Sequence, residues 1–130
     1  MAGTGKSQCP CGGAAFAQCC GRFIGQAEKP RTAAELMRSR YTAYAMRDAG
    51  YLQATWHAST RPALPITDEK LKWIGLEIRK QTQDGDQATV EFVARYRVDG
   101  RAHRLHENSR FVREGGSWFY VDGSFLERKN

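Results

Sequence analysis

The fold turns on the stretch K-W-I-G-L-E-I-R-K-Q-T-Q-D-G-D-Q-A-T-V-E-F-V-A-R-Y-R-V-D-G, Lys72 to Gly100. Ile74, Leu76 and Ile78 alternate with Gly75, Glu77 and Arg79. After Asp84-Gly85, Ala88, Val90, Phe92, Ala94, Tyr96 and Val98 alternate with Thr89, Glu91, Val93, Arg95 and Arg97. A period of two places alternate side chains on opposite faces of a strand, and Asp-Gly between two such runs supplies the positive φ of a tight hairpin. Asp99-Gly100 repeats the turn, Arg101 to Arg113 reads as a third strand, Gly115-Gly116 as a third turn and Trp118 to Val121 as a fourth strand. Asp122-Gly123 reads as one more turn. The second half of the chain is therefore expected to be an antiparallel meander.

Upstream, the period is that of a helix. Thr32-Ala-Ala-Glu35 is a capping box, in which hydroxyl and carboxylate satisfy amides at a helix start. Met37, Tyr41 and Tyr44 recur at helical spacing with Leu36 and Ala43 beside them, while Arg38, Arg40 and Arg47 fall on the other faces. Asp48-Ala-Gly50 ends or bends this helix. A second, shorter one carries Tyr51, Leu52, Thr55 and Trp56, and Pro62 to Pro65 closes it. A brief helical turn is expected at Thr67 to Leu71. Helices followed by a meander give an α+β fold, with the helices packed on one face of a curved antiparallel sheet.

All four cysteines lie ahead of these elements, in Q-C-P-C-G-G-A-A-F-A-Q-C-C-G, Gln8 to Gly21. Disulfides within Cys9-x-Cys11 or Cys19-Cys20 would close strained short rings, and cross-pairings would staple only a small loop. Four thiolates, two from each end of a tight loop, suit a tetrahedral zinc ion, with Pro10, Gly12 and Gly13 turning the backbone. A redox-sensing thiol cluster and an iron–sulfur cluster are the competing readings. A zinc site filled by four protein ligands leaves no open position for substrate, so it is structural rather than catalytic. The composition changes after Gly21, and the connector Arg22 to Arg31 contains Gly25 and Pro30; the expected division is a zinc knuckle at 1–28 and a second domain at 29–130.

The chain has 130 residues, 41% hydrophobic and 26% charged, which bounds it to a globular protein with a real core. It lacks a run long enough to span a membrane and a signal-peptide core at its start, so the expected compartment is the cytoplasm. The formal net charge of +6 suits an anionic partner, whether a small ligand or RNA, but the 20 basic residues are scattered.

C-P-C-G-G followed by Q-C-C-G resembles the SEC-C motif, a zinc-binding module also found in the ATPase motor of bacterial protein export. The resemblance implies that Cys9, Cys11, Cys19 and Cys20 are the ligands and that the knuckle docks on a protein or ribosomal partner. L-M-R-S-R-Y-T-A-Y at Leu36 to Tyr44, T-W-H at Thr55 to His57, N-S-R-F at Asn108 to Phe111 and W-F-Y-V-D-G at Trp118 to Gly123 are similar to the YchJ family of bacterial proteins. That similarity implies a cone-shaped, nuclear-transport-factor-two-like domain and no particular activity.

Cone folds can enclose a pocket between sheet and helices. On the third strand Leu105, Glu107, Ser109 and Phe111 share a face, so Glu107 enters the core with its apolar neighbours. An unpaired carboxylate there costs on the order of several kcal/mol, which calls for a partner such as Arg40, Arg110, His57 or a tyrosine hydroxyl. Candidate catalytic residues are Glu107, His57 and Tyr44; candidate pocket residues are Arg40, Tyr41, Trp56, Trp118 and Tyr120. His103 and His106 read as surface residues. The leading functional reading is a non-enzymatic zinc-binding adaptor. The alternatives are an isomerase- or hydratase-type enzyme using Glu107, and RNA binding through the basic surface.

Overall fold

The computed structural model describes residues 8–25, 28–63 and 70–126. The turn expected at Thr67 to Leu71 falls largely outside them. The elements run in the order of a short 3-10 turn, Phe16–Gln18, then helices α1 (Gly21–Ile24), α2 (Ala33–Met46) and α3 (Ala49–Ala54). Strands β1 (Lys72–Asp84), β2 (Gln87–Val98), β3 (Arg101–Glu114) and β4 (Ser117–Phe125) follow. The strands form one antiparallel sheet in sequence order, as the alternation and turns dictate. No helix among the described residues is long and apolar enough to cross a membrane.

At the start of α2, the Glu35 amide donates to Thr32 Oγ1 at 3.1 Å, while the Glu35 carboxylate accepts from the Arg31 amide at 2.7 Å rather than from Thr32 itself. The helix closes at Arg47, which adopts a left-handed φ of 59°. Asp48 then caps α3 through the Tyr51 amide, and Gly50 lies inside α3 instead of breaking the chain. Leu36, Met37 and Tyr41 of α2 pack with Val90, Phe92, Ala94 and Phe111 of the sheet in one core cluster.

Two departures from simple alternation shape the sheet. In β1 a register shift between Trp73 and Gly75 turns Ile74 outward, 45% exposed, and Trp73 takes the inner position expected for Ile74. Both are large and apolar, and a strand can send only one of two neighbours to a given face. In β4 a shift opposite Arg110 and Phe111 makes Val121 the extra residue, so that Tyr120 and Gly123 both face the helices. The turn expected at Asp122-Gly123 is therefore strand: Gly123 pairs with Ser109, and Asp122 pairs with Arg110. The chain after α3 runs along the outer side of β4, with the His57 amide donating to Tyr120 O at 2.8 Å and the Tyr120 amide to Thr55 O at 2.9 Å.

Candidate metal centre and cavity

The cysteine loop is a miniature hairpin. Gln8 and Ala15 form an antiparallel bridge, and the Gly12 amide donates to Cys9 O. The second pair of cysteines stands at the mouth of α1, where the Phe23 amide donates to Cys20 O. Four sulfurs thereby lie within 4.8 Å of one another, with Cys11 Sγ and Cys19 Sγ 3.5 Å apart. Zinc–sulfur bonds of about 2.3 Å require sulfurs roughly 3.8 Å apart, so the cluster fits one tetrahedral ion with little adjustment. Gly13 is needed for this closeness, since a Cβ there would sit 2.8 Å from Cys19 Sγ.

Without a cation the four sulfurs cannot all ionise. Hydrogen bonding from Cys20 holds the Cys11 thiol down at about 4, whereas burial, followed by the charge and hydrogen bond of Cys11, pushes Cys19 up to about 11. Cys20 is driven up further, chiefly because it supplies the hydrogen bond to Cys11. A divalent ion removes that conflict by taking the place of the protons.

The cage is tied to α2. Cys9 Sγ lies 3.5 Å from Thr42 Oγ1, and Arg38 Nη1 donates to Cys11 O at 3.4 Å. Cys9, Cys11 and Cys20 belong to the same core cluster as Leu36 and Tyr41. Thr42 and Arg38 are supports that sequence reasoning missed, because nothing marks a helical threonine as a neighbour of a thiolate.

The other side of α2 faces a cavity of about 240 Å³ between helix and sheet. Arg40, Tyr41 and Tyr44 line one wall, and Trp73, Phe92, Leu105, Glu107, Ser109 and Tyr120 are among those lining the rest. Arg40, which helical spacing sets on a polar face but which is also a pocket candidate, is 2% exposed and lines the cavity. Its Nη1 donates to Leu52 O at 2.9 Å and Thr55 Oγ1 at 2.7 Å, and its guanidinium carbon sits 4.5 Å from the Tyr120 ring centre and 5.0 Å from that of Trp56. Burial lowers its pKa.

Glu107 faces inward as its strand position requires. Burial raises its carboxyl above the ordinary carboxylate value, opposed by the Ser109 hydroxyl, which donates to it at 2.9 Å, by the Arg40 charge and by the Tyr120 hydroxyl. Of the expected partners, Arg110 is elsewhere, clasping Asp122 on the opposite face of the sheet through two bonds of 2.7 and 2.8 Å. Tyr41 is 2% exposed and its hydroxyl finds no acceptor; burial pushes its pKa up to about 12, opposed by the nearby Gly75 amide.

Three candidates lie outside the cavity. His57 follows the strap along β4 and bonds outward, Nε2 to Glu114 at 2.9 Å and Nδ1 to Ser59 Oγ at 2.7 Å. Trp56 packs edge-on against Tyr120 from behind. Trp118 is buried under the start of α2, donating from Nε1 to Arg31 O at 3.2 Å. Trp73, which completes the aromatic wall by contacts with Tyr41 and Tyr44, was not foreseen, and its adjacency to Ile74 was the available signal. His103 is exposed as expected and stacks on Tyr96, whereas His106 is half-buried with Nε2 2.7 Å from Glu91. In the β2–β3 pairing the exposed Arg95 stands opposite the exposed Arg104, and neither lines the cavity.

With this geometry in place, the comparisons with known proteins are specific. The family described as "YchJ, middle NTF2-like domain" matches residues 32–123. A UPF0225 protein of Cupriavidus metallidurans is 53% identical over 97% of this chain and 94% of its own length. One from Methylibium petroleiphilum is 55% identical over 88% and 86%. The solution structure of a SEC-C motif containing protein from Rhodopseudomonas palustris superposes with a TM-score of 0.84 at 30% identity, covering 92% of this chain and 99% of that one. A crystal structure of a SEC-C motif containing protein from Psychrobacter arcticus has a TM-score of 0.77 at 24% identity, covering 98% and 87%, and supports the fold.

Proposed function

The chain belongs to the YchJ family, and from that premise we propose that it is a zinc-holding protein whose working part is the cavity, where it binds a small ligand. Zinc is the ion favoured by four closely spaced cysteine sulfurs, a soft and closed tetrahedral set. The SEC-C name of the Rhodopseudomonas relative supports the same ion. In this reading Cys9, Cys11, Cys19 and Cys20 hold it, and its task is to fix α2.

The observation that carries the proposal is the two-sided use of α2: Arg38 and Thr42 touch the cage, while Arg40, Tyr41 and Tyr44 line the cavity. Apolar walls with a few converging polar groups are the usual makeup of a small-molecule site. Within the described cysteine loop, residues 8–20, the exposed positions are Gln8, Pro10, Gly12, Ala14, Ala17 and Gln18, all of them uncharged.

The test is filling the cavity from inside. Ala94 is 2% exposed and lines it, so Ala94→Phe is expected to abolish binding of small aromatic probes, read by NMR shifts of the Trp73 ring, while the zinc content stays the same. Probe binding that survives this substitution would refute the cavity as the site. A second reading, an acid-base enzyme, is favoured by the raised Glu107 carboxyl inside the same cavity; its set would be Glu107 with Tyr44 or Tyr120, without His57.

A further inference from the structure

We propose that the cavity binds a small monocarboxylic acid as its carboxylate, with the Arg40 guanidinium as counter-charge, the Tyr41 hydroxyl as second donor and the apolar part of the acid against Trp73, Phe92 and Leu105. The inference rests on the cavity reading above and names its ligand class.

The first support is an imbalance of charge. Arg40 is 2% exposed, yet among the described residues no carboxylate lies within ion-pair distance of it. A buried cation held only by neutral acceptors and aromatic faces bears a desolvation cost that an anion arriving in the cavity offsets. Glu107 lines the same cavity but forms no ion pair with Arg40; burial raises its carboxyl pKa and the Arg40 charge opposes that rise.

The second support is independent of charge. Tyr41 Oη is buried with no acceptor for its proton, the neighbouring Gly75 amide being itself a donor, in a side chain that lines the cavity. Since unsatisfied buried hydroxyls are costly and uncommon, the group is best explained by an acceptor that arrives with the ligand. Arg40, Tyr41 and Tyr44 thus present donors from one wall, and a carboxylate offers two oxygens to such a set. The volume, about 240 Å³, is below the range usual for drug-sized ligands, which limits the acid to one ring or a short chain. A single cation selects a monoanion.

The experiment titrates the zinc-loaded full chain with benzoate and, separately, with its neutral isostere benzamide, following Trp and Tyr side-chain NMR signals. Benzoate is expected to shift Trp73 and Tyr41 and to bind at least about tenfold more tightly than benzamide, the range of a hydrogen bond to a charged group. Tyr41→Phe, which removes only a hydroxyl, is expected to weaken benzoate about threefold to tenfold and benzamide, whose carbonyl is the weaker acceptor, by less. Benzamide binding as well as benzoate would overturn the carboxylate inference while leaving the cavity reading intact. Absence of binding by benzoate, benzamide, hexanoate and hexanamide would overturn both. Benzoate shifts confined to the side chains of Arg95 and Arg104 in the β2–β3 pairing, followed in the same titration, would also overturn the inference.

Discussion

Glu107 on β3 lies over Gly123 on β4 so closely that a Cβ at position 123 would fall 2.8 Å from the Glu107 carboxyl carbon. The glycine is what lets a carboxylate lie flat across the neighbouring strand. Gly123→Ala is therefore expected to destabilise the protein by about 1–3 kcal/mol, the usual cost of overpacking. In a Glu107→Ala background the same change should become neutral or stabilising, because alanine loses less conformational freedom than glycine in a strand. Thermal melts of the four variants measure this coupling, and additive effects would refute it.

The raised carboxyl of Glu107 gives a pH dependence of definite sign. Because the folded state holds this proton more tightly than the unfolded chain, its contribution is fully present below the ordinary carboxylate pKa and is lost as pH rises through the folded value. Glu107→Gln removes that loss. Its melting temperature relative to the parent should thus rise between acidic and neutral pH and level off above, and a pH-independent difference would contradict the assignment.

Tyr41→Phe deletes a hydroxyl that is buried with no acceptor for its proton. Relief of that penalty is expected to stabilise the ligand-free protein by up to about 1 kcal/mol, measured by urea denaturation. A loss of stability would show that the hydroxyl is satisfied in solution.

Metal should be inseparable from the packing of α2. One zinc per chain is expected by elemental analysis, and cobalt substitution should give the absorption of a tetrahedral tetrathiolate site. Thr42→Val, which removes the hydroxyl 3.5 Å from Cys9 Sγ, is expected to weaken zinc affinity about tenfold, as changes to groups supporting metal ligands commonly do. Chelation should lower the melting temperature and broaden the signals of Arg40, Tyr41 and Tyr44 as well as those of the loop. Unchanged cavity signals in the apo protein would mean that the cage and α2 are not coupled.

The meander was legible because alternation and Asp-Gly turns are local signals, and Glu107 could be placed inward from its strand neighbours alone. The limits arose where register changes. Neither the outward flip of Ile74 nor the continuation of β4 through Gly123 can be deduced from a period of two, since each depends on an extra residue in one strand. Arg40 was placed in the pocket only as a partner for Glu107, since helical periodicity by itself assigns arginine to solvent. Its burial depends on acceptors at Leu52 and Thr55, brought back by the turn after α2. His57 was drawn away by Glu114, fifty-seven positions along the chain.

The flip of Ile74 also bears on how molecules meet at high concentration. β1 is an outermost strand of the sheet, and such edges invite copies to add strand upon strand. Here the irregular pairing at Trp73/Gly75 and again at Ile78/Lys80 interrupts the even row of amides and carbonyls that an incoming strand would need, while Lys72, Arg79 and Lys80 place exposed positive charge along it. The distortion that delivers Trp73 to the cavity also leaves the open edge a poor template for an added strand.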